Sequence, residues 1–150
     1  MKVVILAGGF GTRLSEFTDT IPKPMVPIGG KPLIEHIMEH YSSYGHKEFY
    51  IALGYKGQII KEYFKNFKKD WNINLIETGA ETLTGGRLKR LEKYLIDDPF
   101  LLTYGDGISN ININELINFH LKHKKIVTIS AVRPPARFGS LSLDGSNVLK

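Results

Sequence analysis

The chain of 150 residues carries 20 Lys and Arg against 15 Asp and Glu, a formal charge of +5, with 42% hydrophobic and 23% charged residues. These are the proportions of one globular domain with a real core, and the mild basic excess suits a polyphosphate ligand as well as it suits a solvated surface. Cysteine is absent, which excludes disulfides, thiolate nucleophiles and cysteine metal sites; the short apolar start and the lack of any membrane-spanning run read as a cytoplasmic protein with no membrane partner.

In chain order, the apolar run Val3 to Leu6 predicts a first strand, emptying into the glycine-rich turn Ala7 to Arg13. Pro22-Lys23-Pro24 then holds a lysine between two residues of fixed φ. Leu33, Ile34, Ile37, Met38 and Tyr41 mark the apolar face of a helix ended by Gly45. Phe49 to Leu53 predicts a second strand, and Ile59, Ile60, Tyr63, Phe64 and Phe67 a second helix. Ile73 to Glu77 predicts a third strand, Arg87 to Leu95 a helix carried by Leu88, Leu91 and Leu95, and Phe100 to Tyr104 a fourth strand. A further helix is expected over Ile113 to His123, then a strand over Val127 to Val132, then a hairpin turning at Asp144-Gly145. Alternating strands and helices, with several strands apolar throughout, argue for an α/β fold with a mostly parallel sheet and crossover helices. Repeats and interdomain linkers are absent, and the sequence stops at Lys150 as another strand begins, which predicts the first part of a longer domain.

Ligands of open α/β sheets sit beyond the carboxyl ends of the strands, where Ala7 to Arg13 lies. The turn fits neither the dinucleotide fingerprint, because the last glycine position is Leu14, nor the P-loop, because no Gly-Lys-Ser/Thr follows. What remains is backbone N–H groups able to surround phosphate oxygens, with Thr12 as a hydroxyl donor and Arg13 as a positive fork, or a tight turn that needs glycine only for its angles. Lys23 could neutralise charge on a transferring phosphoryl group, or be a solvent lysine. Asp106, between Gly105 and Gly107, could meet a hard cation or belong to a plain turn. Thr82 to Arg90 is a second glycine turn opening a helix, where Arg87 would add charge for an anion. His36 to His40 fits a zinc-hydrolase pattern, although its face is that of an ordinary half-buried helix. The lysines at 65, 68 and 69 and at 122, 124 and 125 read as solvated helix ends, so no nucleic-acid partner is expected.

Taken together, Leu6 to Leu14 and Pro22 to Met25 resemble the paired motif of sugar-1-phosphate nucleotidylyltransferases, and the pair is far more specific than either half. The stretches "LSEFT", "GGKPLIEHIM", "GYKGQIIKEYF", "TGGRLKR", "TYGDG" and "RPPARFGSL" extend the resemblance, over nearly the whole chain, to the glucose-1-phosphate cytidylyltransferase branch. The resemblance implies a Rossmann-like nucleotidyltransferase fold, with residues 1–150 as the N-terminal nucleotide-binding part of one domain. It implies reaction of CTP with α-D-glucose 1-phosphate to give CDP-glucose and pyrophosphate, for polysaccharide biosynthesis, with Mg²⁺ as cofactor. Leu6, Ala7, Gly8, Gly9, Phe10, Gly11, Thr12 and Arg13 would wrap the nucleotide, with Arg13 on the leaving pyrophosphate. Lys23 would hold the α-phosphate and the sugar phosphate, Asp106 the metal, Gly105 would let the nucleotide approach, and Thr82 and Arg87 match nucleotide-contacting positions. Guanylyl or thymidylyl transfer, or a non-catalytic nucleotide-sensing paralogue, are the alternatives. The family's second metal-binding aspartate lies beyond Lys150, so residues 1–150 alone are expected to catalyse little. Family members, homo-oligomers at full length, also carry a longer segment that contributes to subunit contacts where only Lys65 to Asn72 stands here.

Overall fold

A computed structural model of the protein describes residues 1–10, 20–96, 98–132, 142–144 and 147–149. They form two compact units, Met1–Asn114 and Glu115–Lys150.

The first unit is built on a four-stranded sheet of β1 (Val3–Leu6), β4 (Glu48–Leu53), β5 (Asn72–Glu77) and β6 (Leu101–Tyr104), in the order β5-β4-β1-β6. Every pairing in it is parallel; in register, Val3 stands opposite Phe49 and Leu101, and Leu6 opposite Ala52 and Tyr104. Among the described residues, antiparallel pairing is confined to two small ribbons, β2 (Pro27–Ile28) with β3 (Lys31–Pro32), and β7 (Ser142–Asp144) with β8 (Asn147–Leu149). The chain moves outward from β1 through β4 to β5, then returns to place β6 on the other flank of β1. The strand order therefore reverses between β1 and β6, and their carboxyl ends bound the crevice where such sheets bind ligands.

Both faces of β1 are buried, which is why Val3 to Leu6 is an unbroken apolar run rather than an alternating one. On one face Val4, Leu6, Tyr50 and Ala52 pack with Leu91 and Leu95, which follow α3 (Thr84–Arg90) and end α4 (Glu92–Leu95). The other buried apolar surfaces of the unit include the stripes Ile34, Ile37 and Met38 of α1 (Leu33–Ser43) and Ile60 and Phe64 of α2 (Gly57–Lys65). α1 stops where Gly45 takes φ +86°, the left-handed conformation expected of a glycine just past a helix end. Where one helix was expected over Arg87 to Leu95, the chain forms two, because Leu91 adopts φ −90° and ψ −5° between them.

The second unit holds most of α5 (Ile113–His123), which has the expected bounds, and the β7–β8 ribbon. The predicted hairpin is present, but Asp144, expected in its turn, is the last residue of β7 and pairs with Asn147, and residues 145–146 between them lie outside the described residues. The strand expected over Val127 to Val132 is not formed: Val127, Ile129 and Val132 are 66, 83 and 75% exposed, and the segment has no strand partner among the described residues. No helix of the described residues is long and apolar enough to cross a membrane.

Candidate nucleotide site

A cleft of about 290 Å³ opens at the reversal point. Leu6 to Phe10, leaving β1, form one wall; Ala80 to Thr84 and Arg87 form a second; Lys23, Pro24, Tyr104 and Asp106 form a third. The sheet fixes the first wall directly. Ala7 N–H donates to the Ala52 carbonyl at 3.1 Å, and the Gly8 carbonyl accepts from Tyr55 N–H at 3.1 Å, so the turn is tied to the end of β4 before it leaves the sheet. Phe10 packs its ring against Tyr55 with centroids 5.1 Å apart.

The Pro-Lys-Pro segment reaches the cleft as a single 3₁₀ turn, Lys23–Met25, in which Met25 N–H donates to the Pro22 carbonyl and Val26 N–H to that of Lys23. Pro24 is buried, and it packs on Gly105 so closely that a Cβ there would lie 2.9 Å from Pro24 Cγ and 3.2 Å from the Leu6 carbonyl oxygen. The Gly105 N–H continues the β1–β6 ladder to that same Leu6 oxygen at 2.9 Å. Gly105 is therefore a packing requirement: its missing side chain lets the proline turn seat against the end of β6. The result brings Lys23 Nζ to 3.4 Å from Asp106 Oδ2, two residues 83 positions apart, with the lysine 17% and the aspartate 41% exposed.

Asp106 is a partly open carboxylate at the cleft edge. That suits Mg²⁺, which is usually held by one or two carboxylates together with substrate phosphates and water. A caged metal site would need more ligands, and no group of three metal-binding side chains stands together among the described residues. His36 and His40 do not converge on a common ion: His36 Nε2 lies 2.8 Å from the Ile28 carbonyl and His40 Nε2 2.9 Å from that of Ile111.

Arg87 departs from the expectation of a helix-terminal charge offered to an anion. α3 has only seven residues, and the guanidinium is buried within the cleft wall. Nη1 donates to the Leu53 carbonyl (3.1 Å), Thr78 Oγ1 (2.8 Å) and the Gly79 carbonyl (2.7 Å), while Nη2 donates to the carbonyls of Gly8 (2.7 Å) and Ala80 (3.0 Å). Burial, and secondarily the charge of Arg90, pulls its pKa below the usual arginine value. A Cβ on either Gly8 or Gly54 would fall inside the guanidinium, so both glycines make room for it.

Of the residues singled out in the sequence, Leu6, Ala7, Gly8, Gly9, Phe10, Lys23, Thr82, Arg87 and Asp106 line one cleft, with Gly105 directly behind it. Gly11, Thr12 and Arg13 lie outside the described residues. Sequence reasoning missed Ala80, Glu81 and Leu83, which leave β5 for the cleft, and Tyr104, which ends β6. The rule that ligands gather at strand carboxyl ends was the signal that could have found them.

The nucleotidyl transferase family model matches residues 2–150. The chain belongs to that family. Its sequence is 47% identical, over 99% of the chain and 66% of the relative, to the glucose-1-phosphate cytidylyltransferase of Salmonella typhi. It is 42% identical, over 96% of the chain and 65% of the relative, to a probable glucose-1-phosphate cytidylyltransferase of Bacillus subtilis. The chain thus spans about two thirds of the length of these relatives. The Salmonella alignment runs over 171 residues against 150 here, so the relative carries extra residues inside the matched stretch, as a longer segment between two elements would require. Among solved structures, HddC from Yersinia pseudotuberculosis complexed with GMP-PN superposes with a TM-score of 0.70 at 33% identity, covering 80% of this chain and 54% of that one.

Proposed function

We propose that this nucleotidyl transferase chain supplies the nucleotide-binding part of a homo-oligomeric glucose-1-phosphate cytidylyltransferase, which converts CTP and α-D-glucose 1-phosphate to CDP-glucose and pyrophosphate. The observation that carries the reading is the meeting of Lys23 and Asp106 at the point where the strand order reverses, in a chain 47% identical to such an enzyme over nearly all of its length.

An oxygen of the sugar phosphate attacks the α-phosphorus of the nucleotide, the bond from that phosphorus to the bridging oxygen breaks, and pyrophosphate leaves with the bond electrons. No protein nucleophile is required, so catalysis consists of positioning and charge neutralisation. Lys23, held by two prolines and by the seating of Pro24 on Gly105, places a fixed ammonium beside the reacting phosphates. The Gly8 to Phe10 turn offers backbone amides to the phosphates, and Arg13 is assigned to the departing pyrophosphate. Asp106 would hold Mg²⁺, which when bound supplies charge neutralisation across phosphate oxygens. Thr82, which matches a nucleotide-contacting position, and the exposed Leu83 line the same cleft.

Guanylyl transfer is the second reading, favoured by the likeness to a protein solved with GMP-PN. Pyrophosphate release by the full-length protein, assayed with CTP, UTP, GTP and dTTP against several sugar 1-phosphates, separates them. Turnover with CTP and glucose 1-phosphate supports the first reading, and turnover with GTP but not CTP replaces it with the second. Nucleotide binding without turnover under any pairing would identify a sensing paralogue.

A further inference from the structure

The geometry points to Arg87 as a positioning residue that sets the direction of three backbone amides in the cleft, those of Gly9, Ala80 and Glu81, rather than as a residue that contacts the ligand. A trans peptide aims its carbonyl and the following N–H in opposite directions. The Gly8, Gly79 and Ala80 carbonyls all accept from the Arg87 guanidinium, at 2.7, 2.7 and 3.0 Å, so the N–H groups of the next residues are turned away from it. Those next residues, Gly9, Ala80 and Glu81, line the cleft. One planar fork therefore fixes donors on two walls that come from different strands, β1 and β5.

Three observations favour this role over direct contact. All five acceptors of the guanidinium are protein groups, so its two terminal nitrogens are spent before any ligand arrives. All five are also neutral, four carbonyls and one hydroxyl, so the positive charge is fixed in place without being cancelled by a carboxylate, which suits the wall of an anion site. Finally, Gly8 and Gly54 both leave their Cβ space to the fork, so the turn and the end of β4 are shaped around it. Lysine cannot replace arginine here, because a single ammonium cannot span acceptors from three segments.

The inference rests on the nucleotide-site reading for its kinetic consequence only, and the test keeps the two apart. In full-length protein without nucleotide, Arg87→Lys should shift the amide resonances of Gly9, Ala80 and Glu81. Thr78→Val, which removes one acceptor of the fork and leaves the rest, should shift the same three to a smaller extent. Neither measurement needs catalysis. Titration with inorganic pyrophosphate and turnover with each accepted nucleotide should then both weaken in Arg87→Lys, turnover by about 10²-fold and by the same factor whatever the base. Guanidinium ion added to Arg87→Ala at millimolar concentration should restore part of the loss. Unchanged Gly9, Ala80 and Glu81 resonances in folded Arg87→Lys and Thr78→Val would overturn the proposal. A loss confined to one base would replace it with direct contact. Shifted amides without pyrophosphate binding would uphold the positioning role and refute the nucleotide-site reading.

Discussion

Replacing Lys69 with Met isolates the charge network that joins α1, α2 and the connection to β5. Glu35 sits on α1 with its side chain 6% exposed; it accepts from Tyr63 Oη and, at 2.8 Å, from Lys69 Nζ, which also reaches Glu39 and is 38% exposed. Methionine keeps the aliphatic stem beneath Trp71, whose ring centre is 4.6 Å from the ammonium, and removes only the charge. Breaking a buried pair from one side costs about 3–5 kcal/mol, but water screens the lysine and Tyr63 still donates, so about 1–2 kcal/mol is expected at neutral pH. The cost should depend on pH. Burial alone would raise the Glu35 pKa, yet the hydrogen bonds from Lys69 and Tyr63 outweigh it and hold the group below 4.5. Glu39 is lowered as well, by hydrogen bonds from Lys31 and then Lys69. A depressed carboxyl contributes stability above its unfolded pKa and loses it as pH falls through the folded one, so the gap between variant and parent should narrow from pH 7 toward about pH 3. Urea unfolding at the two pH values measures it. An equal gap at both, or none at pH 7, would refute the reasoning.

Leu91→Ala empties a 0% exposed position between α3 and α4 in the cluster with Val4, Leu6 and Tyr50, and should cost about 2–5 kcal/mol, seen as a melting temperature lowered by roughly 5–15 °C. A change within about 2 °C would show that the cluster is not packed as described. Gly105→Ala must displace Pro24, so it should destabilise by about 1–3 kcal/mol and slow pyrophosphate release together; loss of stability with full turnover would separate Pro24 from Lys23. Tyr63, raised to about 12 first by burial and then by its bond to Glu35, should stay neutral through pH 10 in absorbance titration, and normal titration near 10 would contradict its placement. A zinc chelator should leave the melting curve of the protein unchanged, because His36 and His40 face separate carbonyls; stoichiometric zinc lost in His36→Ala would contradict that.

The centre of the sheet was legible because β1 and β4 are covered on both faces and so appear as unbroken apolar runs bounded by turn residues. α1 and α2 were legible from their apolar stripes. The Val127 to Val132 run was misread for a physical reason: apolar, β-branched residues show that a segment gains from burial, but a strand exists only beside a hydrogen-bonding neighbour. The break at Leu91 left no mark, since leucine is at home in a helix and packing under Val4 and Leu6 holds it where it is. At the site, residue types and spacing pointed to Lys23 and Asp106 separately, and the structure supplied the link through Pro24 and Gly105. Arg87 was legible as a charge but not as a clamp, because its partners are carbonyls, whose directions no side-chain pattern encodes.

The role proposed for the cleft joining Lys23 and Asp106 is phosphoryl transfer. It is tested most directly by pyrophosphate release from CTP and glucose 1-phosphate, comparing full-length protein with its Lys23→Ala variant at matched folded fractions. Removing one fixed donor to the developing charge should lower kcat by about 10²–10³-fold. A Lys23→Ala protein that releases pyrophosphate at the parent rate would contradict the account.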